Sequence, residues 1–186
     1  MNHADFPILF DVQANDLERI AQFGQIMSPR IDEVIDPLYD FLKLALGHDF
    51  SLHFPDDKAL TRAKSLSHHA WLEFLQGRWD DDYIKSRTRI GEVHAQLQIE
   101  PRHYMAAMDK AIDLFCDFAE RLLEPNQVKA TQNALRRMSR MESAFVVDVY
   151  AKRTTDIISK QSRALTDMST PITALWDGIL MLPVVG

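Results

Sequence analysis

The chain has 186 residues, 46% hydrophobic and 26% charged, with a net charge of −6, enough for one substantial core in an ordinary globular protein. The acidic balance argues against nucleic acid as the main partner, and no apolar run is long enough for a membrane span. One cysteine, Cys116, excludes an internal disulfide, and the N-terminus lacks the basic start and apolar core of a signal peptide, which together point to the cytoplasm.

Six glycines and eight prolines are too few for a loop-rich or mostly β protein, so the chain reads as helical. Residues 15–27 predict a short amphipathic helix with Leu17, Ile20, Ala21 and Phe23 on one side. Ser28-Pro29 reads as a cap and first helical residue for a second helix, which runs to about Leu46 and stops at Gly47. Its apolar face is Ile31, Val34, Ile35, Leu38, Tyr39 and Leu42. A loop with His48, His53, Phe54 and Pro55 follows. Asp56 caps a helix over roughly 57–76, with an inner stripe of Leu60, Ala63, Ser67, Ala70, Trp71 and Phe74 that Leu66 can share. Gly77 ends it, and Asp80-Asp81-Asp82 opens the next helix, where negative charge suits the N-terminal dipole.

Pro101 starts a helix over about 101–123, dominated by Tyr104, Met108, Ile112, Phe115 and Phe118. Pro125-Asn126 breaks it. The last helix runs from Gln127 to about Met168 without proline or glycine. It outruns a compact domain, and its polar half from Ala151 to Thr166 reads as a coiled-coil-like linker between two chains. The composition then changes. Ser169 to Gly186 reads as two short buried strands around an Asp177-Gly178 turn, the opening of a second domain that is cut short. The expected division is 1–150, 151–168 and 169–186.

The most informative position is His94. Tyr83, Arg87, Ile90, His94 and Leu97 fall on one helical face. A histidine within such a stripe is either a core residue satisfied by a carbonyl, the commoner case, or a ligand to something the core encloses. As a ligand it suits haem iron, which needs one neutral imidazole whose other nitrogen is fixed by a hydrogen bond. Gly91 would then let the helix lie close beneath a flat ring. Tyr39 is either an amphipathic core tyrosine with a surface hydroxyl or a donor to a diatomic gas on the far side of the iron. The other histidines carry less: His69 lies with Arg62, Ser65, Glu73 and Gln76 on a solvated face, and no zinc-type spacing appears. Cys116 reads as a small buried hydrophobe. No Cys-x-x-Cys-His run provides covalent haem attachment, and no phosphate loop, paired carboxylates or nucleophile elbow supports an enzyme.

The run Phe74-Leu75-Gln76-Gly77-Arg78-Trp79-Asp80-Asp81-Asp82-Tyr83, then Arg89-Ile90-Gly91-Glu92-Val93-His94 and Pro101-Arg102-His103-Tyr104-Met105, resembles the sensor globins of bacterial globin-coupled sensors over roughly 15–150. The resemblance implies an all-α, globin-like sensor domain with an N-terminal extra helix and a long C-terminal linker helix. It makes His94 the proximal ligand of haem b iron. Tyr39 falls on the distal tyrosine, and Ala63 and Leu66 line the distal pocket, while Ile90 and Leu97 share the face of His94. It also implies dioxygen or another diatomic gas as ligand and a homodimer through the last two globin helices, 101–123 and 127–150. The apolar content expected there (Met108, Phe115, Phe118, Met138, Phe145) exceeds what one side of a lone domain needs. Gln98 stands where the family often has glycine, and His103 where it often has tryptophan. The tail from Ser169 through Trp176 to Gly186 resembles the first strands of the STAS domain of RsbR-type stressosome proteins. That likeness implies STAS proteins and a kinase as partners of the output domain. The competing class is a haem-free globin scaffold, and a catalytic globin would leave the linker and tail unexplained.

Overall fold

The structure, a computed structural model, describes residues 5–168 and two strands at 173–176 and 179–181, with side chains described over 5–165. The chain divides into two compact units, Met1–Tyr150 and Ala151–Gly186. The helices of the first unit are α1 (Asp5–Leu9), α2 (Ala14–Met27), α3 (Asp32–Leu46), α4 (His48–His53), α5 (Asp57–Phe74), α6 (Asp81–Gln96) and α7 (Pro101–Leu122), and the last, α8 (Pro125–Met168), continues into the second unit.

Several boundaries follow from local chemistry. The Asp56 carboxylate accepts the Ala59 amide at 2.7 Å, and Asp80 accepts that of Tyr83 at 2.9 Å, each satisfying an orphan amide of a first turn. Gly47 ends α3 with φ of 53°, in the left-handed region. Ser28, expected as a cap, instead donates its hydroxyl to the Gly24 carbonyl at 2.7 Å within a 3-10 turn over Ser28–Arg30. Pro29 thus opens that turn, and α3 begins only at Asp32. The expected loop after Gly47 contains α4, one and a half turns held by burial of Phe50 against Phe54.

The core of the first unit lies where α3 packs on α5 and α7. Val34, Ile35, Leu38, Met108, Ile112 and Phe115 meet there, all buried, and Trp71 and Phe23 meet Phe115 edge-on at 5.3 and 6.4 Å. α1 adds Phe6, edge-on to Phe145 at 5.4 Å. The buried Asp16 of α2 is paired with Arg137 of α8, Nε to Oδ2 at 3.0 Å. Burial opposes the Asp16 charge, but hydrogen bonds from Arg137 and the Gln13 amide outweigh it and hold the carboxyl below its ordinary range.

Met108, Phe115, Phe118, Met138 and Phe145 are all buried within their own chain. Their apolar surface is used by the core of one subunit, which corrects the expectation that it is surplus for a dimer. In the second unit, residues 151–165 of α8 are mostly exposed. The strands Thr173–Trp176 and Ile179–Met181 pair antiparallel, with Thr173 opposite Met181 and an irregularity between Ala174 and Trp176. The Asp177-Gly178 turn, residues 169–172 and 182–186, and the burial of either strand lie outside the described residues. No helix among the described residues is long and apolar enough to cross a membrane.

Candidate functional site

His94 is half-buried near the C-terminal end of α6. Its Nδ1 lies 2.8 Å from the Ile90 carbonyl one turn earlier. A carbonyl only accepts, so Nδ1 carries the proton and the lone pair of the neutral ring is on Nε2. Burial pushes the His94 pKa below its ordinary value, against the Ile90 hydrogen bond, and the charge of nearby His53 acts in the same direction as burial. The ring stands edge-on to Tyr104 of α7 at 5.2 Å.

The end of α6 is closed by a Schellman-type turn. The Ile99 amide donates to the His94 carbonyl at 3.0 Å and the Gln98 amide to Ala95 at 3.2 Å. This turn holds Gln98 at φ of 55°, in the left-handed region. Glycine adopts that conformation without strain, which accounts physically for the residue the resemblance expects there.

Two contacts fix how α5 and α6 face each other. Arg87 Nη2 donates to the Ala70 carbonyl at 2.8 Å, and Ser86 Oγ donates to Glu73 at 2.6 Å. Helical spacing carries those faces along both helices: Ala63 and Leu66 lie seven and four residues before Ala70, and Ile90, His94 and Leu97 lie three, seven and ten after Arg87. All five expected lining residues therefore belong to the mutually facing sides. Yet Leu66 is 62% exposed and Leu97 58%, while Ala63 and Ile90 are half-buried. Ser86 and Arg87 are where α6 bonds to α5, and His94 lies two turns further along α6.

Tyr39 is only 7% exposed. Its hydroxyl is not at the surface but shares a 2.9 Å hydrogen bond with Ser67 Oγ of α5, and its ring meets Phe54 edge-on at 5.8 Å. Burial raises its pKa. Tyr39 is thus held to α5 and His94 to α7, and no hydrogen bond, ion pair or ring contact joins the two.

Gly91 serves a different purpose from the one expected. A Cβ there would stand 2.8 Å from Val149 Cγ1 and 2.9 Å from the Val146 carbonyl, both on α8. The glycine permits close approach of α6 to α8, not to a flat ring. Glu73, expected on a solvated face, is half-buried and lies 3.7 Å from Arg87 as well as bonded to Ser86.

Between α6, α7 and α8 lies a polar cluster that the sequence did not reveal. Arg87 is 1% exposed, and its Nε lies 3.3 Å from Glu142 of α8, itself 3% exposed. The Tyr83 hydroxyl donates to Glu142 Oε2, and the Tyr104 hydroxyl to Oε1 at 3.4 Å. The Arg87 guanidinium also covers the Tyr83 ring at 4.3 Å. Burial opposes the Arg87 charge, but Glu142 and Tyr83 outweigh it and raise its pKa. Burial, followed by the Glu142 charge, raises both tyrosine pKa values well above their ordinary range. A signal was present: an arginine within an apolar stripe needs a buried partner, and Glu142 lies between Met138 and Phe145 on the corresponding stripe of α8.

The arrangement has part of what a haem would require. The donor is a neutral imidazole with its tautomer fixed by a backbone carbonyl, and the flanking walls are apolar. The cavity that His94 borders with Ile99, Tyr104 and Val146 holds about 10 Å³, far less than a haem occupies, so the fit rests on the donor chemistry of His94 and not on a preformed cavity.

The fold and this site define an all-α globin-type domain. The protoglobin profile matches residues 8–155, and the chain belongs to that family. The fold is similar to that of the globin domain of the Geobacter sulfurreducens globin-coupled sensor. The TM-score is 0.70 at 15% identity, covering 79% of this chain and 96% of that one.

Proposed function

We propose that residues 1–150 are a haem-based sensor of a diatomic gas, dioxygen first, and that the domain is a regulator with no enzymatic activity. The observation that carries this is the His94 imidazole, held neutral by burial and fixed by Ile90, beside the apolar Ile99 and Val146. Haem b, when bound, supplies the iron centre at which the gas is held. His94 Nε2 would hold the metal, with Ala63 and Leu66 on one side and Ile90 and Leu97 on the other. Tyr39 would donate from the far side, exchanging its Ser67 partner for the gas. The similarity to the globin domain of a globin-coupled sensor supports the same reading.

The signal would leave through the helices that touch α6. A gas that bound two arrangements equally would shift neither, so contacts present in only one state must supply the energy. The proposed assembly is a cytoplasmic homodimer through the outer surfaces of α7 and α8. The exposed part of α8 would lead to a STAS output domain in a stressosome, with STAS proteins and a kinase as partners. The absorption spectrum of the reduced and air-exposed protein tests the reading. A Soret band that shifts with oxygen supports it, and a colourless protein that takes up no added haem refutes it. The small cavity beside His94 favours a second reading, a haem-free globin scaffold, which that colourless outcome would select.

A further inference from the structure

The geometry points to Glu142 as the residue of α8 that reads the position of His94. Three side chains converge on this one buried carboxylate. Tyr83 and Arg87 bring α6 to it, three and two turns before His94. Tyr104 brings α7, and its ring is the one standing against the His94 imidazole. Arg87 also reaches the Ala70 carbonyl and Glu73, so the same cation ties α6 to α5. A shift of His94 must move the Tyr104 ring or the α6 backbone, and both are tied to Glu142.

The tie is stiff. Glu142 and Arg87 are buried, so a broken contact between them is poorly compensated by water, and the cluster favours discrete arrangements over gradual deformation. Gly91 adds the steric half, since α6 sits directly against Val146 and Val149 one and two turns after Glu142 on α8. Glu142 is therefore a positioning residue that acts through Tyr104 and α6 and does not touch the gas.

This inference rests on the haem reading above, so its test separates the two. Wild type, Glu142→Gln and Tyr104→Phe are reconstituted with haem, and haem uptake is read from the Soret band. Hydrogen–deuterium exchange over residues 139–150 is then compared with and without carbon monoxide. Tyr104→Phe keeps the ring against His94 and removes one oxygen, so it serves where Glu142→Gln fails to fold. Wild type is expected to change its exchange over 139–150 on adding carbon monoxide. The variants are expected to take up haem and carbon monoxide yet lose that change. A gas-dependent change that persists undiminished in a folded variant overturns the inference and leaves the haem reading intact. Absence of a Soret band in the wild type overturns the haem reading. In the haem-free protein, His94 ring resonances that are the same in wild type and Tyr104→Phe overturn the inference separately.

Discussion

Replacing Gly91 tests how the His94 helix is seated. An alanine Cβ would come within 2.8 Å of Val149 Cγ1 and 2.9 Å of both the Val146 carbonyl oxygen and Val149 Cβ. Neither neighbour yields easily, because one is backbone and the other a β-branched side chain with a stiff χ1. Overpacking of this kind costs about 1–3 kcal/mol. Alanine recovers about 1 kcal/mol through its helix propensity. The net for Gly91→Ala is a loss of about 1 kcal/mol, or about 3 °C in Tm for a domain of this size. Gly91→Val adds two methyl groups against the same wall and regains less propensity, for a loss of about 3 kcal/mol and a fall of about 6–12 °C. Thermal melts followed by circular dichroism, with urea titrations alongside, measure both. A valine variant that melts at or above the wild-type temperature would refute the close seating of α6 on α8.

Gln98→Gly removes a left-handed strain worth about 1–2 kcal/mol, partly offset by the greater freedom of glycine in the unfolded chain. Urea titration should show a gain of about 0.5–1 kcal/mol, and a loss would contradict the strained turn. Asp16 has a folded pKa below its ordinary 3.8, so its stabilising contribution is whole above that value and disappears as pH falls through the folded pKa. The stability gap between wild type and Asp16→Asn should therefore close on acidification, and a gap that widens there would overturn the Arg137 pairing. Tyr39→Phe loses the Ser67 hydrogen bond, costing about 0.5–1.5 kcal/mol. In the haem-loaded protein it should also speed oxygen release, and equal off-rates would remove the proposed distal role.

The long helices were legible because each presents one apolar stripe long enough to show its period, and because Asp56, Asp80 and Pro101 mark three starts. α1 and α4 escaped, since five and six residues cannot establish a 3.6-residue repeat. Ser28 misled because a hydroxyl can cap the next helix or bond back to the last one, and only the packing decides. At the site, spacing and resemblance single out His94, Tyr39, Ala63, Leu66, Ile90 and Leu97 as candidates. Gly91 was noticed for its smallness, but its partner was not, because Val146 and Val149 are more than fifty positions away. Glu142 was hidden for a like reason: a glutamate on an amphipathic helix reads as solvated until Tyr83, 59 residues earlier, is seen to bond it.

One spectrum bears most directly on the account, that of reduced haem reconstituted into wild type and into His94→Ala. A sharp Soret band is expected in the wild type, and its loss in the variant. Matching spectra from the two proteins would contradict it, as would the lack of a band in both.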